Sequence, residues 1–160
     1  HLLPGVREAL VDILRTRYPI GRVWVRNCVE APRRCFGRGP GWHKALVIGL
    51  LGLGFRRLAR EAGLPMNDGF SGLHDFNSGP PFREKMRNFL AHRGPRHLIH
   101  VHPGKVDPQL QAVDSLTSPR EWELCYLASD EFLRDLETAG VALARFEPTA
   151  CGQVQATAPR

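Results

Sequence analysis

The 160-residue chain contains little cysteine, and no pair of its cysteines has the spacing of a metal-binding or redox motif. The four cysteines are Cys28, Cys35, Cys125 and Cys151, and none of them belongs to a CxxC motif. This spacing argues against a zinc ribbon, and a chain of this length with so few cysteines is not a small disulfide scaffold. We therefore expect a protein of the reducing cytoplasm.

Long hydrophobic runs and a targeting segment are also missing from the sequence. The longest apolar run, residues 45–55, is too short to span a bilayer, and no signal peptide is recognisable at the start. The chain lacks an initiator methionine, and His1 is followed almost directly by a predicted helix start at Pro4. From this beginning we expect a fragment of a longer protein.

Acidic residues are fewer than basic ones, and the formal net charge is +6. The arginines are scattered and many adjoin acidic residues, so a nucleic-acid partner is not expected. Arg56, Arg57 and Arg60 follow the apolar run and leave peripheral membrane contact open. A helix that faces the core with a charged outer edge is the favoured interpretation of this segment.

Hydrophobic residues make up 42% of the chain, which predicts a packed domain. Apolar periodicity predicts helices at residues 4–18, 43–63, 80–94 and 118–140, the last with a break near Ser129. It predicts strands or extended segments at residues 22–27, 64–76, 97–104 and 141–146, and loops at residues 30–42 and 105–117. This alternation predicts an α/β fold with mainly parallel strands in one domain, residues 1–146, followed by a loose tail, residues 147–160.

The third predicted strand, "HLIHVHPG", ends with two histidines that lie two residues apart, His100 and His102. Period-two alternation places His100 and His102 on one face and Ile99 and Val101 on the other. The Pro–Gly pair that follows His102 ends the strand. Active sites of parallel α/β folds lie at the carboxyl ends of strands, which makes His102 a candidate site residue.

Two other strand ends carry polar side chains. Arg26 holds the corresponding position on the first predicted strand, and His74 follows the second extended segment together with Asp68 and Asp75. If the carboxyl ends meet at one edge, these ionisable groups converge there.

Structural interpretations of the same residues stay open at this point. A histidine at a strand end is often a hydrogen-bonded loop residue, and Arg26 is equally suited to an ion pair. Two histidines at positions i and i+2 can bind one metal ion, but this segment supplies no third ligand. The "GLLGLG" run at 49–54 lies within a helical pattern, so it does not indicate a dinucleotide site.

Four motifs resemble those of the YdjC/ChbG-like family of carbohydrate deacetylases, and within it the members linked to hopanoid biosynthesis. "HLLPG" is similar to the end of the family's His-rich segment, and "VWVRN" to its strand that ends in arginine. "HVHPG" is similar to its "CHPG" strand, and "SPREWELCYLASDEF" to its R-x-x-E-L-x-x-L-x-S helix. The resemblance covers residues 1 to about 146 and corresponds to the C-terminal part of a family member.

The resemblance implies part of a distorted (β/α) barrel whose N-terminal half is missing. It implies one divalent metal ion, Mg²⁺ or Zn²⁺, bound by an aspartate of an N-terminal Asp-Asp motif and by two histidines. The aspartates and one ligand histidine would belong to the missing half, so the metal site of this chain would be incomplete. His1 is either the second ligand histidine or its neighbour.

The resemblance also implies metal-assisted hydrolysis of the acetyl amide of an amino sugar. His102 is our candidate for the acid that protonates the leaving amine, and Arg26 and His74 are assigned to substrate binding. Arg120 and Glu123 are expected to be structural and to tie their helix to the loop after the HPG motif.

The expected substrate is an N-acetylated sugar, either a glycolipid intermediate or a chito-oligosaccharide. A homodimer is left open. Two alternatives are weighed against the enzyme: an inactive fragment, and a basic module that binds a membrane surface or nucleic acid.

Overall fold

The computed structural model describes residues 1–19, 21–37, 42–76 and 81–146, and helices dominate these residues. Seven helices and two short strands occur in the described residues: α1 Val6–Arg17, α2 Pro32–Gly37, α3 Trp42–Glu61, β1 Gly69–Ser71, α4 Phe82–Ala91, β2 His97–Ile99, α5 Pro108–Val113, α6 Ser118–Leu127 and α7 Asp130–Thr138. The predicted tail, residues 147–160, lies outside this description.

The two strands are parallel neighbours, and α4 forms the connection between them. Phe70 of β1 pairs with Leu98 of β2 in the centre of the three-residue register. A helix between two parallel strands is the usual crossover unit. The α/β class and parallel pairing are therefore confirmed in a mainly helical chain, while a barrel stays a prediction.

The predicted strand at residues 22–27 is wrong, because the segment forms only an isolated bridge between Val25 and Met66. Beyond Val25, side chains replace the backbone ladder. The Asn67 amide accepts a hydrogen bond from the backbone N–H of Asn27 at 2.7 Å and donates one to the Asn27 carbonyl at 2.9 Å. These reciprocal bonds, from two buried asparagines, hold the segment beside β1 without making it a strand.

The predicted strand at residues 141–146 is also wrong, since it pairs with no strand in the described part of the chain. Its last residue packs through its ring instead. Phe146 stacks on Trp24 at 4.3 Å between ring centroids, and the Arg96 guanidinium lies 4.7 Å from the Phe146 ring. Without a neighbouring strand, apolar alternation alone does not produce a β-ladder.

Short helices occur in both predicted loops. In residues 105–117, Asp107 caps α5 by accepting a hydrogen bond from the backbone N–H of Leu110 at 2.8 Å, and Pro108 fills the first helical turn. In residues 30–42, Pro32 begins α2, which buries Cys35. An acidic cap followed by proline is a helix-start signal, and at Asp107 it was overlooked because the apolar run behind it is short.

The glycines of the "GLLGLG" run belong to α3, as the helical pattern predicted. Gly49 and Gly52 are buried against the segment that follows the Val25 bridge. A Cβ atom at Gly52 would lie 3.3 Å from Cγ2 of Val29, so glycine permits this close approach. The run is a packing surface between α3 and residues 28–30.

The interior consists of two apolar clusters. The N-terminal cluster joins α1 and α3 through Val11, Val25, Phe55, Ala59 and Leu64. The C-terminal cluster joins α4, α6 and α7 through Met86, Phe89, Leu90, Tyr126, Phe132 and Leu136.

A buried polar seam connects the segment after Val25 to both strands; its members are Asn27, Glu30, Asn67, Ser71 and His97. The Glu30 carboxylate accepts from the backbone N–H of Phe70 at 3.2 Å, and His97 Nε2 lies 2.9 Å from the Ser71 hydroxyl. The seam holds the strand pair in place next to the candidate site. None of the helices among the described residues is long and apolar enough to cross a membrane.

Candidate functional site

A row of rings and one guanidinium group crosses the carboxyl edge of the strand pair. The Arg26 guanidinium carbon lies 5.8 Å from the centre of the Phe70 ring. Phe70 stacks on His100 at 6.4 Å, and the rings of His100 and His102 are 4.4 Å apart. The short distance between the two imidazoles agrees with their predicted placement on one face, while Ile99 and Val101 pack against the C-terminal cluster. We call this row the histidine edge.

The backbone beside this edge requires a glycine. Gly72 follows β1 with a φ of 104°, in the left-handed region, and a Cβ atom there would clash with the His100 carbonyl. The backbone N–H of His100 donates a hydrogen bond to the Ser71 carbonyl at 2.9 Å, which extends the pairing one step beyond β2. Gly72 therefore lets the chain after β1 pass close to His100.

The histidine edge continues through Phe76 to His74. The Phe76 ring meets the His102 ring edge-on at 5.0 Å and the His74 ring at 4.5 Å. His74 is buried, with Nε2 3.3 Å from the Glu123 carboxylate and Nδ1 3.1 Å from the Asp75 carbonyl. The structure thus brings together three of the predicted site residues, Arg26, His74 and His102.

Glu123 of α6 fixes the far end of the edge. Its side chain is 1% exposed, and its two carboxylate oxygens contact His74 Nε2 and the backbone N–H of His102. One turn earlier, the carbonyl of Arg120 accepts from the backbone N–H of Gly104 at 3.2 Å. As expected, the Arg120 guanidinium ties α6 to the loop after the HPG motif, through the Asp114 carboxylate at 2.6 Å. The Glu123 carboxylate contacts His74 and the backbone of His102 instead of that loop.

Burial sets the charge of the two strand-end imidazoles. Desolvation lowers the pKa of His102, aided by Arg120, His74 and Arg26, while the Glu123 carboxylate opposes this shift. Desolvation also lowers the pKa of His100, and the neighbouring His102 and Arg26 lower it further, by a smaller amount. Both rings are therefore mainly neutral at neutral pH.

His102 has one further property that a purely structural histidine lacks. Its Nδ1 atom is buried and has no hydrogen-bond partner among the described residues. Buried polar atoms are nearly always paired, so an unpaired ring nitrogen suggests a functional role. A neutral imidazole with a free nitrogen can accept or carry a proton.

His1 adjoins the opposite end of the edge. Its Nε2 lies 3.9 Å from Cys28 Sγ, and its ring meets Phe55 edge-on at 4.9 Å. Burial raises the pKa of the Cys28 thiol, and the adjacent Arg26 opposes this shift. Cys28 therefore lies between His1 and Arg26 and links His1 to this end of the histidine edge.

The described residues do not form the metal site that the resemblance implies. Among residues 1–19, 21–37, 42–76 and 81–146, no three histidine, cysteine, aspartate or glutamate side chains are grouped to hold a metal ion. His1 and Cys28 supply at most two neighbouring donors, whereas catalytic zinc sites use three protein ligands. This part of the chain does not fit the metal on its own.

The two aspartates grouped with His74 by sequence do not join the site. Asp68 precedes β1 at its amino end, where its carboxylate lies 3.6 Å from Arg96. Asp75 pairs with Lys44, and both of these side chains are largely exposed. Strand alternation predicted the extended segment at residues 64–76, but it did not predict the residue at which β1 begins. Asp68 was therefore expected at the wrong end of the strand.

Sequence reasoning missed Phe70 and Phe76, the rings that link Arg26, His102 and His74. The signal was present in "GFSGLHDF", where Phe70, Gly72, His74 and Phe76 recur with period two. Such a pattern indicates one face of an extended segment, and here this face forms the histidine edge.

This fold and site define a class of protein. It is an α/β protein that carries imidazole and guanidinium groups at the carboxyl edge of its parallel strands. The family model of YdjC-like proteins matches residues 1–138. The chain belongs to the YdjC-like family, which is related to carbohydrate deacetylases. Comparisons with curated proteins and with solved structures gave no match.

Proposed function

We propose that this chain carries part of the active site of a metal-dependent hydrolase that removes the acetyl group from an N-acetylated amino sugar. The observation that carries the proposal is the unpaired, buried Nδ1 of His102 at a strand edge shared with Arg26. Family membership supports the reaction class. The hopanoid-linked glycolipid and the chito-oligosaccharide are the two substrates that we expect, in a cytoplasmic enzyme.

The reaction adds water to the acetyl carbonyl carbon and breaks the carbon–nitrogen bond, which gives acetate and the free amino sugar. His102 delivers a proton to the leaving nitrogen. Because its lowered pKa keeps the ring neutral at rest, His102 takes up this proton during the reaction from the attacking water, whose hydroxyl bonds to the acetyl carbon. An imidazolium of low pKa then releases the proton readily, and such proton transfer contributes about 10²–10⁴-fold in rate.

Arg26 and His74 have different parts in this proposal. Arg26 has a planar fork of donors that suits the hydroxyl and carbonyl oxygens of a sugar, or an aspartate that it would orient. Both ring nitrogens of His74 have protein partners and its side chain is 6% exposed, so its part in substrate binding is to support the Phe76 ring, 4.5 Å away. His100 supports the ring of His102 through their 4.4 Å contact.

The divalent ion, Mg²⁺ or Zn²⁺, stays part of the proposal with His1 as its candidate ligand. Such an ion would supply Lewis-acid chemistry for a carbonyl and for an attacking water. We expect the remaining ligands to come from a longer protein that contains this chain.

The test is His102→Ala in the full-length protein, assayed for acetate release from N-acetylated sugars. We expect a fall in kcat of about 10²–10⁴-fold, with metal content nearly unchanged by elemental analysis. His43→Ala, at an exposed position of α3, is the matched control. Full activity of His102→Ala would refute the proposal, and loss of the metal would make His102 a ligand instead of the acid.

A further inference from the structure

Arg26 supplies the guanidinium group of the histidine edge, and its immediate side-chain neighbours do not fix this group. In the described part of the chain, no carboxylate forms an ion pair with it. Its guanidinium carbon lies 5.8 Å from the centre of the Phe70 ring, a contact that orients a guanidinium less strictly than a bidentate carboxylate would. The place of the guanidinium therefore depends on how the backbone of residues 25–27 is held.

Two sets of hydrogen bonds hold this backbone, one on each side of Arg26. On the amino side, the backbone N–H of Val25 donates to the Pro65 carbonyl at 2.9 Å. On the carboxyl side, the oxygen of the Asn67 carboxamide accepts from the backbone N–H of Asn27 at 2.7 Å, and its nitrogen donates to the Asn27 carbonyl at 2.9 Å. Backbone pairing thus ends at Val25, and one side chain continues it past Arg26.

The Asn67 carboxamide also joins this segment to β1. Its nitrogen donates a second bond, to the carbonyl of Gly69 at 2.7 Å, and Gly69 is the first residue of β1. The Asn27 carboxamide returns a bond to the Asn67 carbonyl at 3.2 Å. Both asparagines are 2% exposed, so water does not readily replace a bond that is lost. One carboxamide therefore connects the backbone beside Arg26 with the strand that carries Phe70.

The hydrogen-bonding capacity of Asn67 is fully matched to this task. A carboxamide has one carbonyl oxygen and an NH₂ group with two hydrogens. At Asn67 the oxygen and both hydrogens have backbone partners. The side chain is therefore committed to holding the backbone, which suits a residue that acts on the site through another residue.

We propose that Asn67 is a positioning residue that sets the place of the Arg26 guanidinium on the histidine edge. This inference rests on the proposed function, in which Arg26 binds the substrate. Asn67 acts through the backbone of Asn27 and makes no contact with the substrate itself. Such a role matters because a displacement of about 1 Å in a site can lower the rate about 10²-fold.

The experiment measures the kinetics of acetate release from the β-1,4-linked disaccharide of N-acetylglucosamine by the full-length protein. We expect Asn67→Ala to raise KM about tenfold and to change kcat less than about twofold, because a binding group moves while His102 stays in place. In an Arg26→Ala background, Asn67→Ala should change KM less than about twofold, since the group that it positions is already absent. Asn88→Ala, at an exposed position of α4, is the matched control and should change neither constant.

A spectroscopic measurement separates an action on Arg26 from a general loss of stability. The NMR chemical shift of the Arg26 Nε–H depends on its distance from the Phe70 ring, and Phe70→Leu gives the shift without that ring. Asn67→Ala should move the signal toward the value in Phe70→Leu, whereas Asn88→Ala should leave it in place. Asn67→Ser keeps one hydroxyl for these bonds and should move the signal less, and it replaces Asn67→Ala if that variant does not fold.

An Arg26 signal that keeps its wild-type position in the Asn67 variants would overturn the inference. An equal rise of KM on Asn67→Ala with and without the Arg26 side chain would overturn it too. Failure of the proposed function gives a different result, because the protein with Asn67 intact would then release no acetate while the Arg26 signal would still move in Asn67→Ala. Such a result would support the positioning of Arg26 by Asn67 and refute the hydrolase.

Discussion

The two apolar clusters of this molecule are built differently. The N-terminal cluster packs apolar side chains of α1 and α3, with Phe55 at its centre. In the C-terminal cluster, polar groups accompany the apolar ones: Tyr126 donates to the Asp135 carboxylate at 2.9 Å, and Arg83 binds the same carboxylate. A groove between α4, α6 and the start of α7 lies on this second cluster, and so does the buried Glu123.

This difference shows where the molecule fixes geometry and where it only fills space. Apolar contacts are non-directional, so the N-terminal cluster supplies stability without orienting particular atoms. Buried hydrogen bonds are directional, and a partly satisfied network is costly. The region that orients His74 and His102 therefore depends on groups such as Glu123.

Removal of a central ring should have the largest effect. Phe55→Ala deletes a side chain that is 1% exposed, and we expect a loss of about 3–5 kcal/mol in the free energy of unfolding. Denaturant unfolding followed by circular dichroism measures this loss. Phe89→Ala is the matched change in the C-terminal cluster, where Phe89 is 4% exposed.

The same pair of variants tests whether the polar seam couples the clusters. If it does, each variant shifts one common transition to lower denaturant concentration. Two transitions, only one of which moves in Phe55→Ala, would show that the clusters unfold independently.

Replacement of the buried carboxylate should have the next largest effect. Glu123→Gln preserves the size of the side chain but replaces one of its two acceptor oxygens, which contact His74 and the backbone of His102, with an NH₂ group. We expect this change to lower the free energy of unfolding by about 1–3 kcal/mol. Loss of the negative charge should lower the pKa of His102 further, because the carboxylate raises it. Denaturant unfolding and an NMR titration of the His102 ring measure the two effects.

The exposed Glu121 of α6 provides the control for that change. Glu121→Gln should alter neither the free energy of unfolding nor the titration of His102 beyond error. If Glu123→Gln behaved like Glu121→Gln, the buried carboxylate would not orient the site.

Mild acid should destabilise the fold to a smaller degree than Glu123→Gln. The pKa values of His100 and His102 are lowered in the folded state, whereas an unfolded histidine titrates near 6.5. The unfolded chain then binds more protons, so their contribution is fully present above pH of about 6.5 and is lost as the pH falls through the lower folded values. Unfolding measured at several pH values tests this dependence.

The double variant His100→Gln, His102→Gln separates the contribution of the two imidazoles to the pH dependence from that of carboxylates such as Asp114 and Asp135. The pKa values of these carboxyls are lowered, so they affect stability only in stronger acid. Stability of the variant should depend less on pH between neutral and mildly acidic conditions. An unchanged slope would show that these imidazoles are not the source.

The smallest effect is expected on the outer face of α3. Leu50 is 67% exposed in the 160-residue chain, so Leu50→Lys should change its free energy of unfolding by no more than about 0.5 kcal/mol. Leu64→Lys, at a position 7% exposed in the N-terminal cluster, is the destabilising reference. A large loss for Leu50→Lys in a longer protein, but not in this chain, would show that further residues cover this face.

Helix periodicity was the most reliable guide to the fold. It predicted α1, α3, α4 and the break between α6 and α7, where the Ser129 hydroxyl caps α7 by accepting from the backbone N–H of Phe132 at 3.4 Å. A helix forms its hydrogen bonds within one segment, so local pattern suffices. Strands need a partner, which is why the predicted strand at 141–146 was wrong and β1 and β2 are only three residues long.

Sequence also identified Arg26, His74 and His102 as candidate site residues, because polar groups after apolar strands are recognisable by type and position. It did not predict that Asp68 lies at the amino end of β1. The local signal for a strand says little about the residue where pairing begins.

By itself, the sequence determined the helices α1, α3, α4, α6 and α7, the parallel order of two strands and the residue types at their ends, since these follow from short-range periodicity and from turn residues. Only the tertiary structure decided which of these residues meet. Glu123 reaches His74 across 49 positions of the chain and the backbone of His102 across 21. Such contacts arise where α6, packed on α4 and α7, meets the segments that follow β1 and β2, and no local pattern encodes the distance between two side chains that packing brings together.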